Sequence, residues 1–290
     1  MKIAVSIRPI MSIIENISCQ NEIELIIDKN ISPHYYHLTP SKIKNLKDAD
    51  IIILVSKQLE TPLYKVLQNH SLLNKKLLIL ENIPGLNLVK NNAISEINES
   101  NHDHDHDHHH DSDIDPHIWL DPKNVKVISE YLSEIINKMN PQSSCRHESL
   151  KRFKDELDEI ENYTAKELKG ARNKSIIVTH NAYNYLTTKY GIKVSGVLFT
   201  NSHYPLSVKQ MQNIKNNIRE NNVRCILVEP QFKSQSVDKL IEQLEINKIS
   251  VDIEWGPKGN IKNIYRELIV DTAKSISECL GVEQDLPIAQ

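Results

Sequence analysis

Three histidines stand alone and far apart in this chain: His34, His117 and His180. A neutral imidazole offers one nitrogen to a transition metal. Three of them with an open or water-filled fourth position suit tetrahedral zinc. Each lies in a stretch able to hold it still. His34 sits in Ser32-Pro-His-Tyr-Tyr-His-Leu-Thr-Pro-Ser41, a loop bracketed by Pro33 and Pro40. His117 sits in Asp115-Pro-His-Ile-Trp-Leu-Asp-Pro122, where prolines constrain both sides and Trp119 can anchor the loop. His180 directly follows the strand-like run Ile176–Thr179 and precedes a helix-like stretch, Asn181–Tyr190. These contexts place all three at strand ends facing one cleft, where α/β proteins put their sites. A single histidine of this kind is more often a hydrogen-bonded structural residue, so the weight rests on the set.

Between the first two lies a tract of different character, His102-Asp-His-Asp-His-Asp-His-His-His110. Its spacing offers several interchangeable weak clusters for a metal and no single rigid cage. The bland alternative is a solvated low-complexity insert. The segment from about 90 to 115 is rich in Asn, Ser, Asp and His and has almost nothing to bury, so disorder is expected there.

The same three imidazoles with an open position could serve hydrolytic zinc, where bound water becomes the nucleophile. An enzyme would also need a general base and a substrate pocket. The sequence shows no HExxH, no Ser/His/Asp pattern and no Gly-rich phosphate loop, with only seven glycines in 290 residues. Binding without catalysis is therefore the expectation. A formal net charge of −3 offers no broad basic field for nucleic acid. No apolar run approaches the ~18–20 residues needed to span a bilayer. The start, MKIAVSIRPIMSII, is too polar for the apolar core of a signal peptide and reads as a first strand. Cys19, Cys145, Cys225 and Cys279 form no CxxC, and four cysteines allow three full pairings or four free thiols.

The elements that must position the histidines follow a repeating pattern. Apolar, β-branched runs recur at Ile3–Ile7, Ile23–Ile27, Ile51–Val55 and Leu77–Leu80. A second series runs Ile176–Thr179, Val194–Phe199, Cys225–Val228 and Val251–Trp255. Helical spacing separates them at Ser41–Ala49, Thr61–Asn69, Ser207–Asn221 and Ser236–Ile246. The pattern predicts two α/β lobes with mostly parallel sheets. Between the series, Pro122–Met139 reads as a helix with Pro in its first turn. A longer one runs from Ser144 to about Lys169, with Leu150, Phe153, Leu157, Ile160 and Leu168 near one face. At 1.5 Å per residue it would reach about 40 Å, enough to link two lobes. The expected organisation is an N-terminal lobe over 1–141, a linking helix over 142–170 and a C-terminal lobe over 171–290.

The order of motifs resembles one family, the zinc-binding receptors of high-affinity bacterial zinc ABC importers (ZnuA-like members of the metal-receptor solute-binding proteins). The resemblance runs from Ile3 over nearly the whole chain. It includes the His-Tyr-Tyr-x-Leu-x-Pro-Ser loop at His34–Ser41, Ala49-Asp50 before an apolar strand, and an acidic His-rich insertion. It continues through His117-Ile-Trp-Leu-x-Pro122, Thr179-His-Asn-Ala-Tyr183 with Tyr185, and Val228-Glu-Pro-Gln-Phe232. It implies two lobes joined by one long helix, zinc in the interlobe cleft, and ligand roles for His34, His117 and His180.

Relatives that carry manganese or iron usually have Glu where this chain has His180, which tilts the expected metal toward zinc. The resemblance further implies a Cys225–Cys279 disulfide, hence an oxidising compartment, a periplasmic location and a leader trimmed or missing from this chain. An inner-membrane ABC permease is the implied partner, and the receptor is expected to be a monomer. Two departures bear on the fourth ligand. Many relatives have Asp-Pro-Leu-Gly where this chain reads Trp255-Gly-Pro-Lys-Gly259, and a carboxylate that some place before the first histidine is here Pro33. Water is expected in that position, with Glu254 or Asp252 next. His37 is expected at the surface, and Glu229 as a buried residue orienting a ligand. The neighbouring readings are a manganese or iron receptor and a metal-buffering adhesin of the same family.

Overall fold

The computed structural model describes residues 1–18, 21–91, 114–141, 146–199, 208–232, 238, 242 and 246–282. The His102–His110 tract, Cys19, Cys145 and most of the expected helix Ser236–Ile246 lie outside them. The chain divides into two compact units, and neither is contiguous in sequence. The first comprises Met1–Leu88, Pro116–Glu161 and Ile253–Ile269. The second comprises Val89–Asp115, Asn162–Asp252 and Val270–Gln290.

The first unit holds strands β1 (Lys2–Val5), β2 (Glu22–Leu25), β3 (Ile51–Leu54) and β4 (Leu77–Ile79). They form one parallel sheet in the order β2-β1-β3-β4. β1 and β3 are the inner strands, and their Ile3, Ala4, Val5, Ile52, Ile53 and Leu54 are wholly buried. Strands covered on both faces read as unbroken apolar runs, which is why these two are plain in the sequence. Helix α1 (Arg8–Ile17) buries Ile10, Ile13, Ile14 and Ile17, spaced for one helical face. Short helices α2 (Pro40–Leu46), α3 (Thr61–Gln68) and α4 (Ser71–Asn74) follow. Helix α5 spans Pro122–Met139 as expected; Asp121 caps it by accepting from the Lys123 amide at 3.1 Å.

The late segment Ile253–Ile269 is stitched into this unit by buried and part-buried polar contacts. Ser12 Oγ accepts from the Tyr265 amide at 3.1 Å, and Asn16 Nδ2 donates to the Lys262 carbonyl at 2.7 Å. The Tyr265 hydroxyl donates to the Trp119 carbonyl at 3.0 Å. Burial raises that phenol well above its ordinary pKa, so it stays a donor.

The second unit repeats the plan. Strands β5 (Ser175–Val178), β6 (Lys193–Val197), β7 (Cys225–Val228) and β8 (Asn247–Ser250) pair in parallel in the order β6-β5-β7-β8. Ile176, Ile177, Val178, Ile226 and Leu227 form its buried centre. Helices α7 (Asn184–Tyr190) and α8 (Val208–Glu220) belong to it. Lys90 and Ile114 form an isolated antiparallel bridge, beside a bond from the Asp115 amide to the Val89 carbonyl at 2.9 Å. The unit division falls inside two helices: α6 (Arg146–Glu167), between Glu161 and Asn162, and α9 (Ile264–Cys279), between Ile269 and Val270. Cys225 at the start of β7 and Cys279 at the end of α9 are joined as a disulfide.

Two local expectations are corrected. The fourth strand of the second series lies at Asn247–Ser250 and not at Val251–Trp255. Asn247-Lys-Ile-Ser is an edge strand, exposed at all but the half-buried Ile249, and so lacks an apolar run. Ile253 is wholly buried because it packs in the first unit. Helix α7 begins at Asn184, three residues later than expected, because Asn181–Tyr183 form a polar turn. In that turn the Ala182 amide donates to the His180 carbonyl at 3.0 Å and Asn184 Nδ2 donates to Asn181 Oδ1 at 3.0 Å.

Candidate metal centre

In the first unit His34 and His117 come together. His34 is the middle residue of a 3-10 turn, Pro33–Tyr35, that follows β2. Pro33 presets the turn, and the buried Tyr36 anchors it by donating from its hydroxyl to the Ile26 carbonyl at 2.9 Å. His117 is not at a strand end. It precedes a second 3-10 turn, Ile118–Leu120, and is only 1% exposed. Trp119 in that turn is wholly buried and donates from Nε1 to the Ile253 carbonyl at 2.9 Å. Its ring stands edge-on to that of His117, with centroids 5.2 Å apart. The rings of His34 and His117 lie 5.7 Å apart, centroid to centroid.

A carboxylate accompanies this pair. Glu254 is 4% exposed, and its Oε1 accepts from Ser32 Oγ at 3.4 Å, two residues before His34. On the other side of His34, the Tyr35 phenol is raised above its ordinary pKa, first by burial and then by the negative charge of Glu254.

In the second unit His180 ends the turn after β5 and is 7% exposed. Its Nδ1 lies 3.0 Å from both carboxylate oxygens of Glu229. Glu229 follows β7, is fully buried, and donates its backbone amide to Thr179 Oγ1 at 3.1 Å. A carboxylate accepts and cannot donate, so it selects the imidazole tautomer protonated on Nδ1. Nε2 then carries the lone pair, the one a metal takes, and the carboxylate fixes the ring's tautomer and orientation. The face of the ring is stacked on Phe232 at 4.7 Å, an apolar wall that fixes its tilt.

Of the other candidates, Asp252 belongs to the second unit, where its Oδ1 accepts from Gln231 Nε2 at 3.0 Å. His37 is exposed, as expected, and so is His147, while His70 is half-buried. Sequence reasoning missed Ser32, and it missed Asp115, whose Oδ2 holds the Asn184 amide and side chain at 3.2 and 2.9 Å. Neither carries a signal beyond adjacency to a histidine motif.

The family model for the periplasmic component A of zinc-uptake complexes, ZnuA, matches residues 3–279. The chain belongs to this family. The ZnuA protein of a high-affinity zinc uptake system in Haemophilus ducreyi is 29% identical over 274 residues, covering 89% of this chain and 86% of that one. The fold matches a periplasmic zinc-binding protein, TroA of Treponema pallidum, with a TM-score of 0.78 at 19% identity over 96% of this chain and 98% of that one. It also matches FpvC of Pseudomonas aeruginosa, solved with Mn2+, at a TM-score of 0.78 and 16% identity, over 97% and 98%. Membership of the ZnuA family makes this a metal-binding solute-binding protein and not an enzyme. Among the described residues, no helix is long and apolar enough to cross a membrane.

Proposed function

We propose that this chain is the receptor of a zinc importer, in which His34, His117 and His180 close on one zinc ion in the interlobe cleft and deliver it to an inner-membrane ABC permease. The observation that most supports this reading is local to each unit: His34 and His117 are paired in the first, and His180 in the second is backed by a buried carboxylate. Neutral nitrogen donors favour zinc over manganese, which prefers oxygen. The fourth position falls to water first, then to Glu254, which Ser32 holds two residues before His34, or to Asp252. Imidazoles compete with protons as pH falls, so capture weakens in acid.

The Cys225–Cys279 bridge supports an oxidising compartment, and with the family it favours the periplasm. The receptor works as a monomer, and the His102–His110 tract supplies weaker auxiliary sites. A manganese or iron receptor is the second reading, supported by the likeness to a protein solved with Mn2+.

Metal-stripped protein titrated with zinc against a competing chelator tests the proposal. One tight zinc should bind per chain, with preference over manganese. His34→Ala, His117→Ala and His180→Ala should each abolish it, while deletion of residues 102–110 should remove only weaker binding. A tight site surviving any of the three histidine substitutions would overturn the assignment.

A further inference from the structure

The backbone around Glu254 is gripped on both sides, and the two grips have different origins. On the N-terminal side, Trp119 Nε1 holds the Ile253 carbonyl at 2.9 Å. On the C-terminal side stands Arg8, the first residue of α1, from the opposite end of the chain. Its Nη1 donates to the Trp255 carbonyl at 2.7 Å and reaches the Pro257 and Gly256 carbonyls at 3.3 and 3.5 Å. Its guanidinium also lies over the Trp255 ring, 4.8 Å from the centroid.

These carbonyls can converge on one cation because Gly256 adopts a left-handed φ of +68°. A Cβ there would meet Ile264 Cγ2 at 3.2 Å. Arg8 supplies a fork of donors that a lysine cannot reproduce.

We infer that Arg8 is a positioning residue for zinc capture: by clamping the turn after Glu254 it holds that carboxylate against Ser32, two residues before His34, where it supports the ion through a bound water. The inference rests on the three-histidine proposal above and adds a fourth participant with its support. Glu254 is already buried, already bonded to Ser32, and flanked by two backbone anchors. Little ordering is left to be done when the ion arrives.

The test uses full-length, metal-stripped protein with zinc and with cobalt(II) as a spectroscopic probe. Arg8→Ala, Arg8→Lys, Glu254→Gln and the Arg8→Ala/Glu254→Gln double variant are compared. Loss of a supporting partner outside the ligand set weakens metal binding ~10–100-fold. Glu254→Gln and Arg8→Ala should each weaken zinc about tenfold and alter the visible cobalt spectrum in the same way. The double variant should be no weaker than Glu254→Gln alone, because the clamp acts only through that carboxylate. Arg8→Lys should fall between wild type and Arg8→Ala, and it carries the test if Arg8→Ala fails to fold.

Multiplying losses in the double variant, or an unchanged cobalt spectrum in Glu254→Gln, would overturn the inference. His117→Ala separates the two levels. If it still binds zinc tightly, the histidine site itself is wrong. If it abolishes binding while the Arg8 and Glu254 variants match wild type, only the clamp is refuted.

Discussion

Glu229→Gln is the most informative single change for the metal site. In wild type the carboxylate places both oxygens 3.0 Å from His180 Nδ1 in a fully buried position. An ion on Nε2 would stand roughly 7 Å away across the ring. At an effective dielectric near 20, a dication and an anion at that separation attract by on the order of 5 kcal/mol, an upper bound. Observed losses on removing such a partner are ~10–100-fold in affinity, or about 1.4–2.7 kcal/mol. Glutamine keeps an acceptor for Nδ1–H and the stacking on Phe232, but removes the charge. The expected result is zinc binding weakened at least tenfold, with the apo melting temperature little changed. Glu229→Ala should be weaker still, because a buried imidazole N–H then lacks its acceptor. Competition with a chromogenic chelator reads both. Wild-type affinity in Glu229→Gln would refute the charge argument. A loss in apo stability that fully accounts for the loss in affinity would make Glu229 a folding residue only.

Two further outcomes are expected. Glu60 is fully buried and accepts from the Val55 and Ser56 amides at 3.0 and 2.9 Å, yet burial raises its pKa from 4.5 to about 7. Its folded value lies above its unfolded one, so the folded state keeps a proton that the unfolded state releases. Stability should fall as pH rises from about 4.5 to about 7, by on the order of 3 kcal/mol. Glu60→Gln should remove that slope in pH-dependent apo melts, and an unchanged slope would contradict it. Replacing both Cys225 and Cys279 by Ser should lower stability by about 4 kcal/mol, since the bridge closes 54 residues of separation. Denaturant melts without reductant read the difference, and equal midpoints would mean the bridge adds nothing.

The three candidate histidines were legible because each stands where backbone constraint shows in composition. Prolines bracket His34 and His117, and an apolar strand leads into His180. The inner strands β1, β3, β5 and β7 were legible for the same kind of reason, being continuous β-branched runs. Less visible was anything that depends on packing between distant segments. Val251–Trp255 looks like a strand because Ile253 is buried, but a turn can bury a side chain as well as a strand does. No local pattern marks Arg8 as the partner of a turn nearly 250 residues later, since any arginine preceding a proline reads the same. His117 was expected at a strand end within a proline-bracketed stretch; that stretch instead buries itself through a 3-10 turn around Trp119.

The bridge between Lys90 and Ile114, with the Asp115–Val89 bond beside it, has a consequence for how the chain can vary. The polypeptide departs and re-enters at neighbouring points, and the re-entry is pinned to the amide and side chain of Asn184. Whatever joins residue 91 to residue 114 starts and finishes at the same socket. Doubling the length of such a joint costs only about 0.6 kcal/mol in closure entropy. Genetic drift, or a protein engineer, can therefore exchange the intervening peptide for a longer, shorter or chemically different one and leave the two sheets as they are.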